Sequence, residues 1–155
     1  MLQKVRLLTG LLLTDEYDWT LTQQLILTRM IVCCIRLIQD DRIDLSSHFN
    51  AILPSLVVKF QSEPSVLAHL IQIPRVLTLD PKVLDPFLNC FCEQTDVEYL
   101  NETVETLTNY PDLEQQVITK VKAQFTKSEF NLQRLKALYT KYDCRSHYLL
   151  DPGSI

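Results

Sequence analysis

Glycine is almost absent from this 155-residue chain, which holds only two. Glycine supplies the positive-φ conformations that tight turns, bulges and phosphate-binding loops require. Their scarcity excludes most α/β enzyme architectures and favours helices joined by polar and proline-containing turns. Long apolar runs are missing too. The longest, Met30–Ile35, falls far short of the ~20 residues that cross a bilayer, so no membrane association is expected. Lys4 and Arg6 precede Leu7–Leu13, but Thr9 and Gly10 interrupt that stretch and no small-x-small cleavage site follows, which argues against a secretory leader. There is no HExxH, no GxSxG and no glycine-rich phosphate loop. His48, His69 and His147 fall in no pattern with a nucleophile and a carboxylate; Ser47 adjoins His48, and adjacent helical positions do not face each other. No catalytic residue and no cofactor is expected.

The five cysteines are Cys33, Cys34, Cys90, Cys92 and Cys144. An odd count, with two close pairs inside apolar helical runs, fits reduced, buried thiols of a cytoplasmic or nuclear protein better than a disulfide framework. Both pairs are tighter than the Cys-x₂₋₄-Cys spacing of a structural zinc site, so no metal is expected.

What the chain does have is helical periodicity. It is 46% hydrophobic, enough at this length for one continuous core. A first helix is expected over Leu2–Leu13. Thr20 and Gln23 have capping-box spacing at the start of a second, running to about Gln39. That second helix is apolar nearly all round, which predicts a central, buried position. Asp44 or Ser46 is expected to cap a third helix, whose stripe Leu45, Phe49, Ile52, Leu53, Leu56, Val57 and Phe60 follows a 3.6-residue period. Pro54 inside it predicts a kink. Further helices are expected from Pro64 to Ile73, from Pro81 to about Gln94 after an Asp80 cap, over Asp96–Tyr110, from Pro111, and from Ser128 to Tyr142. Eight helices would make four hairpins in one domain, 1–143, followed by a tail, 144–155.

One pattern recurs. Ile52-Leu53-Pro54-Ser55-Leu56, followed by Pro64-Ser65-Val66, is matched by Leu84-Asp85-Pro86-Phe87-Leu88, followed by Asp96-Val97, with the prolines 32 residues apart. Such a period marks stacked helical hairpins, because a single hairpin cannot bury its apolar face alone. These segments resemble the HEAT repeat, which carries a proline in its first helix and a valine at the start of its second. The basic residue expected after that valine is replaced by Leu67 in one copy and Glu98 in the other. The resemblance implies an all-α, right-handed solenoid of about four antiparallel hairpins and a non-catalytic binding role. Ile73–Leu84 also looks like a single repeat of the mitochondrial transcription termination factor family of helical-repeat DNA binders, a likeness confined to that segment.

Charge is unevenly distributed. Val83–Thr119 contains no lysine or arginine but eight acids, whereas Lys120–Arg145 carries seven basic residues against two acids. Glu98, Glu102 and Glu105, spaced 4 and 3 apart, share one helical face and are candidates to receive a basic segment of a partner protein. Leu8 and Leu12, in a first helix apolar on more sides than one neighbour covers, are candidates for contact with a partner subunit or with a further repeat of a longer solenoid. The sequence thus points to a protein-interaction scaffold or a structural subunit of an intracellular complex. An alternative is a nucleic-acid-binding module using Lys120, Lys127, Arg134, Lys136 and Lys141, although the overall charge of −4 disfavours it.

Overall fold

The computed structural model describes residues 2–38, 40–94 and 96–123, with side chains as far as residue 119. The expected helix Ser128–Tyr142, the boundary at 143 and the tail lie outside the described residues. Within them the fold is helical throughout, with no strand.

The first hairpin pairs α1 (Leu2–Leu13) with α2 (Leu21–Leu37). α2 begins as its sequence dictates: the Gln23 amide donates to Thr20 Oγ1 (3.2 Å), and the Gln23 side chain accepts from the Thr20 amide (2.9 Å). Each interaction satisfies a backbone donor that the first helical turn cannot. The second hairpin pairs α3 (Arg42–Lys59) with α4 (Pro64–Leu70). α3 starts earlier than expected: Asp41 is the N-cap, with a left-handed φ of 60° and no side-chain capping bond, so neither Asp44 nor Ser46 caps it. A short α5 (Ile73–Val76) follows, opened rather than blocked by Pro74, then a 3₁₀ turn, Pro81–Leu84, capped by Asp80. α6 (Asp85–Glu93) and α7 (Val97–Leu107, capped by Asp96) form the third hairpin. A second 3₁₀ turn, Pro111–Leu113, leads into α8 (Glu114–Ala123).

Packing sorts these elements into two layers. α1 contacts α3, α3 contacts α6, and α6 contacts α8; on the other side α2 contacts α4, and α4 contacts α7. The layers are joined within the hairpins, α1 to α2, α3 to α4 and α6 to α7. The core runs continuously between them, with Phe49, Leu53 and Leu56 of α3, Val66, Leu67 and Leu70 of α4, and Phe87, Phe91 and Tyr99 all sealed from solvent. Each such side chain contributes roughly 1.5–3 kcal/mol by burial.

The two repeat prolines turn out not to be equivalent. Pro54 lies in the interior of α3, which runs on to Lys59, whereas Pro86 lies in the first turn of α6. Pro86 has no N–H to donate to the carbonyl four residues back, and the Lys82 carbonyl instead accepts from Asp85 in a 3₁₀ bond. The valines differ as well: Val66 is fully buried, but Val97, on the first turn of α7, is 64% exposed.

Polar side chains tie successive hairpins together. Lys59, at the end of α3, donates from Nζ to the carbonyls of Leu12, Leu13 and Thr14 (3.0, 2.9 and 3.1 Å) and pairs with Asp15 at 3.1 Å. A cation is thereby seated on the carbonyl end of α1, where the helix leaves acceptors unsatisfied and the dipole favours positive charge. α5, too short to stand alone, is held by its neighbours. Arg42 donates to the Val76 carbonyl (3.2 Å), Asn109 to that of Arg75 (3.3 Å) and the Tyr110 hydroxyl to that of Pro74 (2.7 Å).

Candidate functional site

The outward surface of the α2–α4–α7 layer carries a row of exposed apolar groups beside charged ones, while Leu7 of α1 and Ile43 and Val58 of α3 are exposed on the other layer. On α2, Thr28, Ile31, Val32 and Ile35 face inward and are buried. Opposite them Ile26 (51%), Met30 (47%) and Leu37 (72%) are exposed, together with Cys33. α2 is therefore not the most buried element, as its composition had led us to expect. It belongs to the first hairpin and is covered by α1 on one side and by α4 and α5 on another, which leaves a third face to solvent. At 100° per residue these four side chains fall within about 60° of the helix circumference. Arg29 and Arg36 adjoin them on the edge towards α4.

The charges on this surface are ordered along the stack. Arg36 donates to Gln72 Oε1 at 2.8 Å, tying α2 to the segment after α4. His69 of α4 sits next in line. Burial and then Arg29 hold its pKa below the ordinary histidine value, with Glu98 and Glu102 of α7 opposing them. The α7 side is acidic: Glu98 and Glu105 are exposed. Glu102 is half-buried and engaged, its carboxylate 2.6 Å from Arg75 Nη2, which also donates to the Glu102 carbonyl at 2.9 Å. The three glutamates do share a face, but Glu102 locks α5 to α7 and is not a free member of an acidic cluster.

The other sequence candidates sort differently. Leu12 is a correction: at 1% exposed it belongs to the core, and Leu8 packs against that core half-buried, so the apolar face of α1 closes the hairpin instead of presenting both residues to a partner. Exposed apolar surface on α1 comes from Leu7. Among the nucleic-acid candidates, Lys120 belongs to α8; Lys127, Arg134, Lys136 and Lys141 lie outside the described residues. Cys90 and Cys92 are buried thiols as expected, and burial raises the pKa of Cys90; Cys33, by contrast, is exposed, and Cys144 lies outside the described residues. Among the described residues no three histidines, cysteines or acids gather as metal ligands.

His48 joins the two layer-mates α1 and α3. Thr9 Oγ1 donates to the Arg6 carbonyl (3.0 Å), and with that proton committed the 2.9 Å contact to His48 Nε2 has the imidazole donating to the hydroxyl oxygen. Burial, then Arg6, lowers the pKa of His48, which favours its neutral form. The α2 stripe is what sequence reasoning missed. Its signal was the pair Arg29 and Arg36, seven residues apart and hence on one face: two arginines on an otherwise apolar helix mark where the wet edge lies.

Two layers of antiparallel hairpins, each stacked on the next, define a helical-repeat protein. The model of the HEAT-repeats domain of cohesin subunit SCC3/SA matches residues 36–145, and the chain belongs to that family. The match begins at the last turn of α2, so α1 and the apolar stripe up to Cys33 precede it. No individual curated protein and no solved structure matches the chain significantly.

Proposed function

We propose that this chain is a non-enzymatic protein-interaction module, a HEAT-repeat part of a structural subunit in a cohesin-type multiprotein complex. The observation that supports this best is the family match over the stacked hairpins, together with a layer whose outer face carries apolar and charged side chains that the core leaves uncovered. Stacked repeats offer extended surfaces of this kind, to which neighbouring helices each contribute a row. On this reading the hairpins continue the right-handed stack of HEAT repeats, the setting is nuclear, and no cofactor takes part.

Two surfaces serve the role in this proposal. The acidic side of α7, through Glu98 and Glu105, receives a basic segment of a partner. The first hairpin provides an apolar contact, through α2 rather than through Leu12. The test is reconstitution of the chain with the remaining subunits of a cohesin complex from the same source. Stoichiometric co-assembly is the expected result, and Glu98→Lys with Glu105→Lys should slow association and weaken its salt dependence, because exposed rim charges act mainly on the on-rate. Glu102 is left intact in that variant, since reversing it would break the Arg75 pair and confound binding with folding. Retention on nucleic acid with no protein subunit bound would overturn the proposal.

A further inference from the structure

The α2 stripe combines three properties. Ile26, Met30, Cys33 and Leu37 follow a spacing of 4, 3 and 4, so they form one continuous row along the exposed face. That row lies opposite Thr28, Ile31 and Ile35, the side chains that face the core, and so points away from the helices packed on α2. Another hairpin added to the stack would extend the layers sideways and would not cover it. Something lying on the layer's surface would.

Charge selects the occupant. α2 contains no aspartate or glutamate from Leu21 to Leu37, and its two charged residues, Arg29 and Arg36, border the same row. Among the described residues no carboxylate forms a salt bridge with either arginine, and Arg36 is held in place by Gln72. A ligand lying along this face would therefore meet an apolar track with two positive charges on one edge. We infer that the α2 face docks an amphipathic helix of a partner protein that presents apolar residues at the same 4-3-4 spacing and acidic residues along one flank. Such a helix would lay its apolar side into the row, as helix-in-groove partners do, while its carboxylates met Arg29 and Arg36. This inference names the partner class for the first-hairpin contact of the proposed function and rests on that reading.

The probe is a synthetic helical peptide of five turns with leucines at 4-3-4 spacing and glutamates on one flank, alongside a twin in which every glutamate is lysine. Binding to the whole chain is followed by fluorescence anisotropy. The acidic peptide should bind and its twin should bind about tenfold or more weakly, a difference of about 1.4 kcal/mol. Met30→Glu and Leu37→Glu should abolish binding, and Arg29→Glu should reverse the preference between the two peptides. All three positions are exposed, so far-UV circular dichroism should be unchanged. Equal binding of the two peptides, or none, overturns the inference. So does a concentration-dependent dimer that Leu37→Glu dissolves, which would make a second copy the occupant. Stripe-dependent binding to phosphatidylserine-containing vesicles with no peptide binding overturns it in favour of a membrane surface. If Met30→Glu leaves co-assembly with the cohesin subunits intact, this docking site fails while the proposed function stands; loss of co-assembly by the wild-type chain would sink the function itself.

Discussion

Removing one oxygen from Tyr110 tests how the third hairpin is fastened to the second. The Tyr110 ring is buried, and its hydroxyl donates to the Pro74 carbonyl at 2.7 Å while accepting from the Leu79 amide at 3.1 Å. Burial raises the pKa of this phenol, so it stays protonated and able to donate under any physiological condition. Both partners lie in the connection between α4 and α6, which has only the four-residue α5 and a 3₁₀ turn for regular structure. Tyr110→Phe keeps the ring and its packing but leaves a buried amide and a buried carbonyl without a partner. Each orphaned group costs about 1–3 kcal/mol, so the substitution should destabilise by about 2–6 kcal/mol, a large share of the 5–15 kcal/mol that holds a typical domain together. Urea unfolding followed by far-UV circular dichroism should show a lower midpoint with an unchanged slope, since the surface exposed on unfolding is the same. Hydrogen exchange at the Leu79 amide should accelerate. A midpoint indistinguishable from wild type would refute the claim that this hydroxyl clamps the connection.

Three further outcomes follow from the same geometry. Lys59→Met should cost about 1–3 kcal/mol by leaving the last carbonyls of α1 without their cation, and loss of α1 protection in hydrogen exchange should precede global unfolding. Ile31→Asp should lower the melting temperature sharply by burying an unpaired charge, at a cost of several kcal/mol, whereas Met30→Asp, one residue away on the exposed face, should leave it nearly unchanged. For pH, His48 and His69 both have pKa values held below the ordinary 6.5, so the unfolded state binds more protons as pH falls through that value. Stability should therefore decline on mild acidification, and His48→Gln should flatten that slope in thermal melts.

Local chemistry explains which features were readable in advance. The Thr20–Gln23 capping box, the Asp80 cap and the Leu2–Leu13 helix depend on residues within a few positions of one another, and the structure places them as the sequence implies. The α3 stripe was legible for the same reason, since its 3.6-residue period is long and unbroken. Burial was harder, because it depends on which neighbours arrive. Ile26, Met30 and Leu37 have the chemistry of core residues but lie on a face of α2 left exposed by the described helices that pack on it. Leu12 looked like spare apolar surface and is core, because α2 and α3 both close on α1. Glu102 looked equivalent to Glu98 and Glu105 until Arg75, 27 positions earlier, was found beside it. Pro54 and Pro86 shared a motif but not a helical position, so the repeat was visible as a period rather than as an alignment.

In the proposed function, the exposed layer of this chain serves assembly with other proteins. That role is tested most directly by size-exclusion chromatography with light scattering on the purified chain mixed with the remaining subunits of a cohesin complex from the same source. The expected result is a single species of stoichiometric mass that survives at low-micromolar concentration and is weakened by Met30→Glu. Separate elution of the chain as a free monomer, even at about tens of micromolar, where a complex of useful affinity (about −8 kcal/mol at 1 μM) would be populated, would contradict it.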